Sequence, residues 1–169
     1  MTHPQLELRD RERALKCEMA AQVLRTFGAL RLEVTGLSML PSVWPGDLLF
    51  IERRDMREIA AGEIVLFARE GKLVAHRVLR KTIVGDEAHA ITRGDGLLSV
   101  DNPVSPAELL GSVRYAMRAG ECVALEKELG YSARVTAEAV RRFAWIARIL
   151  AFVHRVYGDT CRRKTLCRS

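Results

Sequence analysis

Between Arg31 and Met117 the chain runs as short Val-, Ile-, Leu- and Phe-rich segments broken at close intervals by Gly, Pro and Asp, and this texture limits its folds more than any other feature. The breaks leave no room for helices of ordinary length, and each apolar run has the length of a strand. Candidate strands are 31–35, 48–52, 63–68, 73–82, 89–93 and 110–117. The expected fold is mostly β, of the α+β type: an antiparallel β domain flanked by N- and C-terminal helices.

The period changes on both sides of this region. Residues 6–28 place Leu6, Leu8, Ala14, Leu15, Met19, Val23, Leu24 and Phe27 at mostly helical spacings among charges, with Gly28 as a stop signal, which predicts an amphipathic helix. After Gly120 a helical pattern returns, weakly over 121–129 and strongly over 134–157. The strong segment carries Arg141, Arg148 and Arg155 at seven-residue intervals in an otherwise apolar run. Two readings of it stay open: a helix in a membrane interface with its arginines snorkelling, or a helix packed on the β core or a partner. Arg148 and the short flanking runs argue against a full span. The chain thus divides into an N-terminal helix (1–30), a β domain (31–120) and a C-terminal helical segment with a basic tail (121–169).

Composition narrows the function classes. At 169 residues and 49% hydrophobic content the chain is one ordinary domain with a core of its own. Net charge is +6, yet residues 134–169 alone hold nine Arg or Lys against two acids, so the basic character is local to the C-terminal segment. Aromatics there fall in the apolar stretch rather than among the basic residues, and nucleic-acid binding is not favoured. Cys17, Cys122, Cys161 and Cys167 form no CxxC pair and no Cys/His spacing, which indicates neither a zinc site nor a redox motif and fits free thiols in a reducing compartment. Charges from Arg9 to Arg25 interrupt the N-terminal 30 residues throughout, so neither a membrane-spanning stretch nor a cleaved secretion signal is expected there. The expected location is cytoplasmic or peripheral to a membrane.

Three segments carry candidate chemistry. Gly36-Leu37-Ser38-Met39-Leu40-Pro41 sits in a turn between predicted strands. His76 interrupts the strand-like Leu73–Leu79. Thr92-Arg93-Gly94-Asp95 and the following Val100-Asp101-Asn102-Pro103 form a polar turn with aspartates six positions apart. Each alone has a bland explanation, since loop serines and turn aspartates are ordinarily structural and a lone strand histidine is usually a satisfied core residue. Together they supply what base-assisted nucleophilic catalysis requires: a hydroxyl, an imidazole able to take its proton near neutral pH, and a carboxylate to fix the tautomer. Lys72, four residues before His76, lies on the same face of the strand as a rival base. His3, His89 and His154 have no motif context.

The order and spacing of Ser38-Met39-x-Pro41-x4-Gly46-Asp47, Gly62-Glu63-Ile64-Val65-Leu66-Phe67, His76-Arg77-Val78, Thr92-Arg93-Gly94-Asp95 and Asp101 resemble the type I signal peptidase superfamily over about residues 33–116. The branch it is most similar to is that of archaea and the endoplasmic reticulum, where a histidine before arginine stands in place of the bacterial lysine. The resemblance implies that Ser38 is the nucleophile, His76 its base and Asp101 the third member, with Asp95, Met39 and Arg77 in supporting roles. It implies a serine endopeptidase acting on an extended polypeptide, as in signal- or leader-peptide processing, with no metal or organic cofactor.

Two departures stand out. Gly36 replaces a second serine that helps to bind the oxyanion in many bacterial members, and no N-terminal anchor is recognisable. Two rivals follow: a self-processing regulatory peptidase of the SOS-repressor type, weakened by the lack of a helix-turn-helix before the β region, and a catalytically silent module that binds peptides and docks on membrane through 134–157.

Overall fold

The computed structural model describes residues 3–126. Helix α1 (His3–Phe27) leads into seven strands: β1 (Ala29–Glu33), β2 (Leu48–Glu52), β3 (Ile64–Arg69), β4 (Lys72–Val84), β5 (Glu87–Arg93), β6 (Leu109–Arg118) and β7 (Glu121–Val123). They form one antiparallel sheet in the order β1-β2-β6-β3-β4-β5, with β7 added to β6. The mostly β, α+β architecture is the one that the broken apolar texture implies.

Turn chemistry fixes the hairpins. Glu70 and Gly71, with φ of 51° and 68°, join β3 to β4 so that Arg69 faces Lys72. Two residues with positive φ match the right-handed twist of the flanking strands and close a tight hairpin. Ala119 and Gly120 repeat the device (φ 51° and 89°), and Arg118 faces Glu121. This corrects the weak helical pattern expected over 121–129: residues 121–123 are strand, because the turn folds them back onto β6, and 124–126 are irregular. The rest of that segment, and the helix expected over 134–157, lie outside the described residues.

The sheet carries core on both faces at its centre. Strand alternation sends Ile64 and Leu66 to one side, where they pack with Leu24, Met39, Val43, Leu49, Ile51, Val113 and Ala116. Val65 and Phe67 go to the other, with Met56, Ile59, Val78, Ala90 and Val104. Helix α1 reaches the first cluster through Leu24, and Gly28 ends it, its left-handed φ of 73° letting its N–H return to the Leu24 carbonyl at 3.0 Å. The buried side of α1 keeps only part of the expected stripe: Leu24 is buried, together with Cys17 and Ala20, whereas Leu8, Leu15, Met19 and Phe27 are exposed. Small residues let the helix come close to the sheet's edge, where a Cβ on Gly71 would sit 3.6 Å from the Ala14 backbone nitrogen.

Two features of the sheet bear on the site. β4 is long, yet β5 pairs with it only from Arg77 onward, with a register shift between Val78 and Arg80. Among the described residues, therefore, Lys72–His76 is bonded to β3 on one side and to no strand on the other. At the centre, Gly111 of β6 passes so close to β2 that an added Cβ would collide with the Glu52 carbonyl oxygen, a backbone atom that cannot swing aside. Gly111→Ala is expected to destabilise the fold by about 1–3 kcal/mol through overpacking, read as a lower denaturation midpoint; an unchanged midpoint would mean that β2 and β6 separate freely there.

Candidate active site

Ser38 opens a tight turn whose apolar residues anchor it. Met39, Leu40 and Val43 are buried, and the Val43 N–H donates to the Met39 carbonyl at 3.1 Å. The far end of the turn is pinned by Asp47: its carboxylate accepts the Trp44 N–H at 2.8 Å and a two-pronged contact from Arg118 at 2.7 and 2.9 Å. Trp44 Nε1–H donates back to the Pro41 carbonyl at 2.7 Å. Ser38 itself is partly exposed. Its carbonyl accepts the Gly96 N–H at 2.8 Å, which ties the turn to the β5–β6 connection.

His76 lies on β4 opposite Val65 and is 5% exposed. Its Nδ1 is 2.7 Å from Asp101 Oδ2. An ionised carboxylate only accepts, so in the neutral ring Nδ1 carries the proton and Nε2 keeps the lone pair. Phe67, on the same face, meets the imidazole edge-on at a centroid distance of 6.1 Å. Gly94 forms the wall beside Nε2: a Cβ there would come 2.5 Å from the Ser38 carbonyl oxygen and 3.1 Å from His76 Nε2. The Ser38 carbonyl and His76 Nε2 therefore both pack against Gly94, a close approach that a side chain at residue 94 would block.

Burial pushes the Asp101 carboxyl up, but the hydrogen bonds from His76 and Thr92, with the charges of His76 and Arg69, outweigh it and hold the group below its ordinary value. Thr92 Oγ1–H donates to the same Oδ2 at 2.7 Å. The Asp101 N–H returns to the Thr92 carbonyl at 2.9 Å.

Asp95 and Arg77 form a separate buried network on the opposite face of β4. Arg77 fills all five donors: Nε and Nη2 to the two Asp95 oxygens at 2.9 and 2.8 Å, Nη1 to the carbonyls of Gly62 and Glu126 at 2.8 and 2.7 Å, and Nη2 to Ser42 Oγ at 3.2 Å. Ser42 Oγ–H donates to Asp95 Oδ2 at 2.5 Å. This network joins the Ser38 turn, β4 and the β5–β6 connection.

The structure thus brings Ser38, His76 and Asp101 to one region, sets Asp95 and Arg77 behind it, and buries Met39 beneath the Ser38 turn. Lys72 is exposed at the hairpin end of β4, four residues and so roughly 13 Å along the strand from His76. Sequence reasoning gave no role to Thr92, Ser42 or Gly94. Thr92 and Gly94 stand inside a motif, but nothing local reveals that a hydroxyl or a missing Cβ faces a residue far along the chain. Among the described residues no cluster of metal-ligating side chains is present, and no helix is long and apolar enough to cross a membrane.

The chain is thus an α+β protein whose sheet and connections bring Ser38, His76 and Asp101 together. The family model described as Peptidase S24-like matches residues 2–87, just over half of the chain, and the protein belongs to that family. It is also similar to signal peptidase complex catalytic subunits SEC11 of fungi. It is 46% identical over 61 residues to that of Metarhizium acridum, covering 34% of this chain and 36% of the relative. It is 43% identical over 67 residues to that of Fusarium vanettenii, covering 38% and 39%. The matched stretches span little more than a third of these relatives.

Two expectations follow from the electrostatics. Asp95→Asn leaves the Arg77 charge buried and uncompensated, at a cost of about 3–5 kcal/mol in chemical denaturation, while Arg77→Met combined with Asp95→Leu loses less than Asp95→Asn alone. Separately, the Arg69 guanidinium beside Glu108 lowers that carboxyl from 4.5 to about 2. A depressed folded-state pKa contributes stability that is complete above the unfolded value and lost as pH falls through the folded one. Glu108→Gln is therefore less stable than wild type at neutral pH, and the gap closes between pH 4.5 and about 2 in a pH series of thermal melts.

Proposed function

We propose that the protein is a serine endopeptidase that cleaves an extended polypeptide, of the signal- or leader-peptide-processing type, through an acyl-enzyme on Ser38. The observation that carries this reading is the His76 ring. Its Nδ1 is held by Asp101 at 2.7 Å, and its Nε2 lies beside Gly94, against which the Ser38 carbonyl also packs. His76 Nε2 takes the Ser38 proton as Oγ attacks the substrate carbonyl, then returns it to the leaving amine. Asp101 keeps the ring in the right tautomer and stabilises the imidazolium. Water then repeats the sequence on the acyl-enzyme with His76 again as base.

With no serine at Gly36, the backbone N–H of Ser38 and one neighbouring amide are the donors for the developing oxyanion. The substrate binds as an added strand along the open edge of β4, residues 72–76, where main-chain pairing fixes its path. The similarity to signal peptidase complex catalytic subunits supports a polypeptide substrate and work in a larger assembly. Asp95, Arg77 and Met39 support the site by holding the Ser38 turn.

The test is cleavage by the purified chain of a peptide with small residues beside the scissile bond, alone and with phosphatidylcholine vesicles with or without anionic phospholipid. Ser38→Ala and His76→Ala are expected to lower kcat by at least about 10³-fold, and Asp101→Asn by on the order of 10²–10⁴-fold. Cleavage by Ser38→Ala at the wild-type rate would refute the mechanism. Mass spectrometry of the incubated chain separates action on a peptide from self-processing: an intact protein mass beside a cleaved peptide supports action on a separate substrate.

A further inference from the structure

Asp101 lies on the irregular connection between β5 and β6, yet its carboxylate must stay within hydrogen-bond distance of a ring on β4. Part of the restraint is local. The Asp101 N–H bonds to the Thr92 carbonyl, and Ala90 and Val104 form a two-way bridge at 2.9 and 2.8 Å. The residues between, Asn102 and Pro103, are exposed. They are held from outside by Arg69, whose Nη1 donates to the Asn102 carbonyl and whose Nη2 donates to the Pro103 carbonyl, each at 3.0 Å.

Arg69 is itself fixed. Glu108 takes its Nε and Nη2 in a two-pronged contact at 2.6 and 2.9 Å, and Ser105 steadies Glu108 by donating its backbone N–H at 2.9 Å and its Oγ–H at 3.0 Å. The guanidinium also lies over the Phe67 ring, 5.2 Å from its centroid, and Phe67 is the ring that meets His76 edge-on. One side chain therefore touches the backbone carrying Asp101 and the ring packed against His76.

We propose that Arg69, oriented by Glu108, is a positioning residue that sets the distance between Asp101 and His76. Its role in turnover rests on the proposed peptidase activity; its effect on the hydrogen bond does not. The planar fork suits the task, because it serves a carboxylate and two carbonyls at fixed angles, which a lysine ammonium cannot do. Without it the 101–103 backbone loses its outer restraint, and displacements of an ångström at such a site carry large rate penalties.

The experiment has two arms. In protein with 15N-labelled histidine, the Nδ1–H proton of His76 is followed by NMR in wild type, Ser38→Ala, Arg69→Gln, Arg69→Lys, Glu108→Gln and Asp101→Asn. A protected downfield signal is expected in wild type and Ser38→Ala and lost in Asp101→Asn. It is expected to broaden or exchange away in Arg69→Gln, with Arg69→Lys and Glu108→Gln in between. In the second arm, Arg69→Gln lowers kcat by about tenfold with little change in KM. The same substitution in the Asp101→Asn background costs less than about twofold, since a residue acting through Asp101 has nothing left to position.

A wild-type Nδ1–H signal in folded Arg69→Gln, or rate losses that multiply in the double variant, overturns the proposal. If no variant cleaves peptide, the peptidase reading fails while the NMR arm still decides the role of Arg69.

Discussion

Two adjacent side chains of β4, His76 and Arg77, are both polar and both buried, and the arrangement around the site follows from satisfying them. Strand alternation sends them to opposite faces of the sheet, so one partner cannot serve both. An unpaired polar group in such a place costs about 1–3 kcal/mol, and an unpaired charge costs more. The β5–β6 connection supplies the two carboxylates, Asp95 for Arg77 and Asp101 for His76. The six-position spacing of the aspartates is the length of chain that passes around the end of β5 from one face to the other. β5 stops pairing at Arg77 for the same reason, since the chain must leave the ladder there to reach both sides.

The two halves of this arrangement differ in stiffness. Behind the site, every donor of Arg77 is used, Asp95 is 3% exposed, and Ser42 draws the Ser38 turn into the same network. A fully satisfied buried charge gives a rigid frame whether or not it adds net stability. On the other face Asp101 is more open to solvent, and its position depends on Thr92, the Ala90–Val104 bridge and the Arg69 fork. Rigidity is thus concentrated where the frame is held, and the adjustable geometry lies where a proton would move.

Much of this was legible in the sequence, and the failures have physical causes. The breaks by Gly, Pro and Asp marked six strands to within a few residues, because turn residues report local backbone geometry that tertiary contacts seldom override. β7 was missed because its signal is a turn, Ala119–Gly120, in which an alanine takes a positive φ against its own preference. The face of α1 was misread because apolar spacing favoured the larger Leu15 and Met19, whereas close docking on the sheet selects the small Cys17 and Ala20 with Leu24. Ser38, His76 and the aspartates drew notice as motifs. Thr92, Ser42, Gly94 and Arg69 act through contacts distant in sequence or through the absence of a Cβ, neither of which leaves a local pattern.

The open edge of β4 and the missing side chain at Gly94 belong together. An extended chain laid along residues 72–76 would take the place that β5 vacates, so its backbone would run past His76 at the height where the Ser38 turn crosses. Pairing of that kind is blind to side chains and sets only the path. A side chain at residue 94 would collide with the Ser38 carbonyl and crowd His76 Nε2, so the glycine is what lets the turn and the ring approach the same stretch of backbone. The sheet's register would thus set the path of an added strand, and the bare backbone at residue 94 sets how closely the Ser38 turn and His76 approach each other beside it.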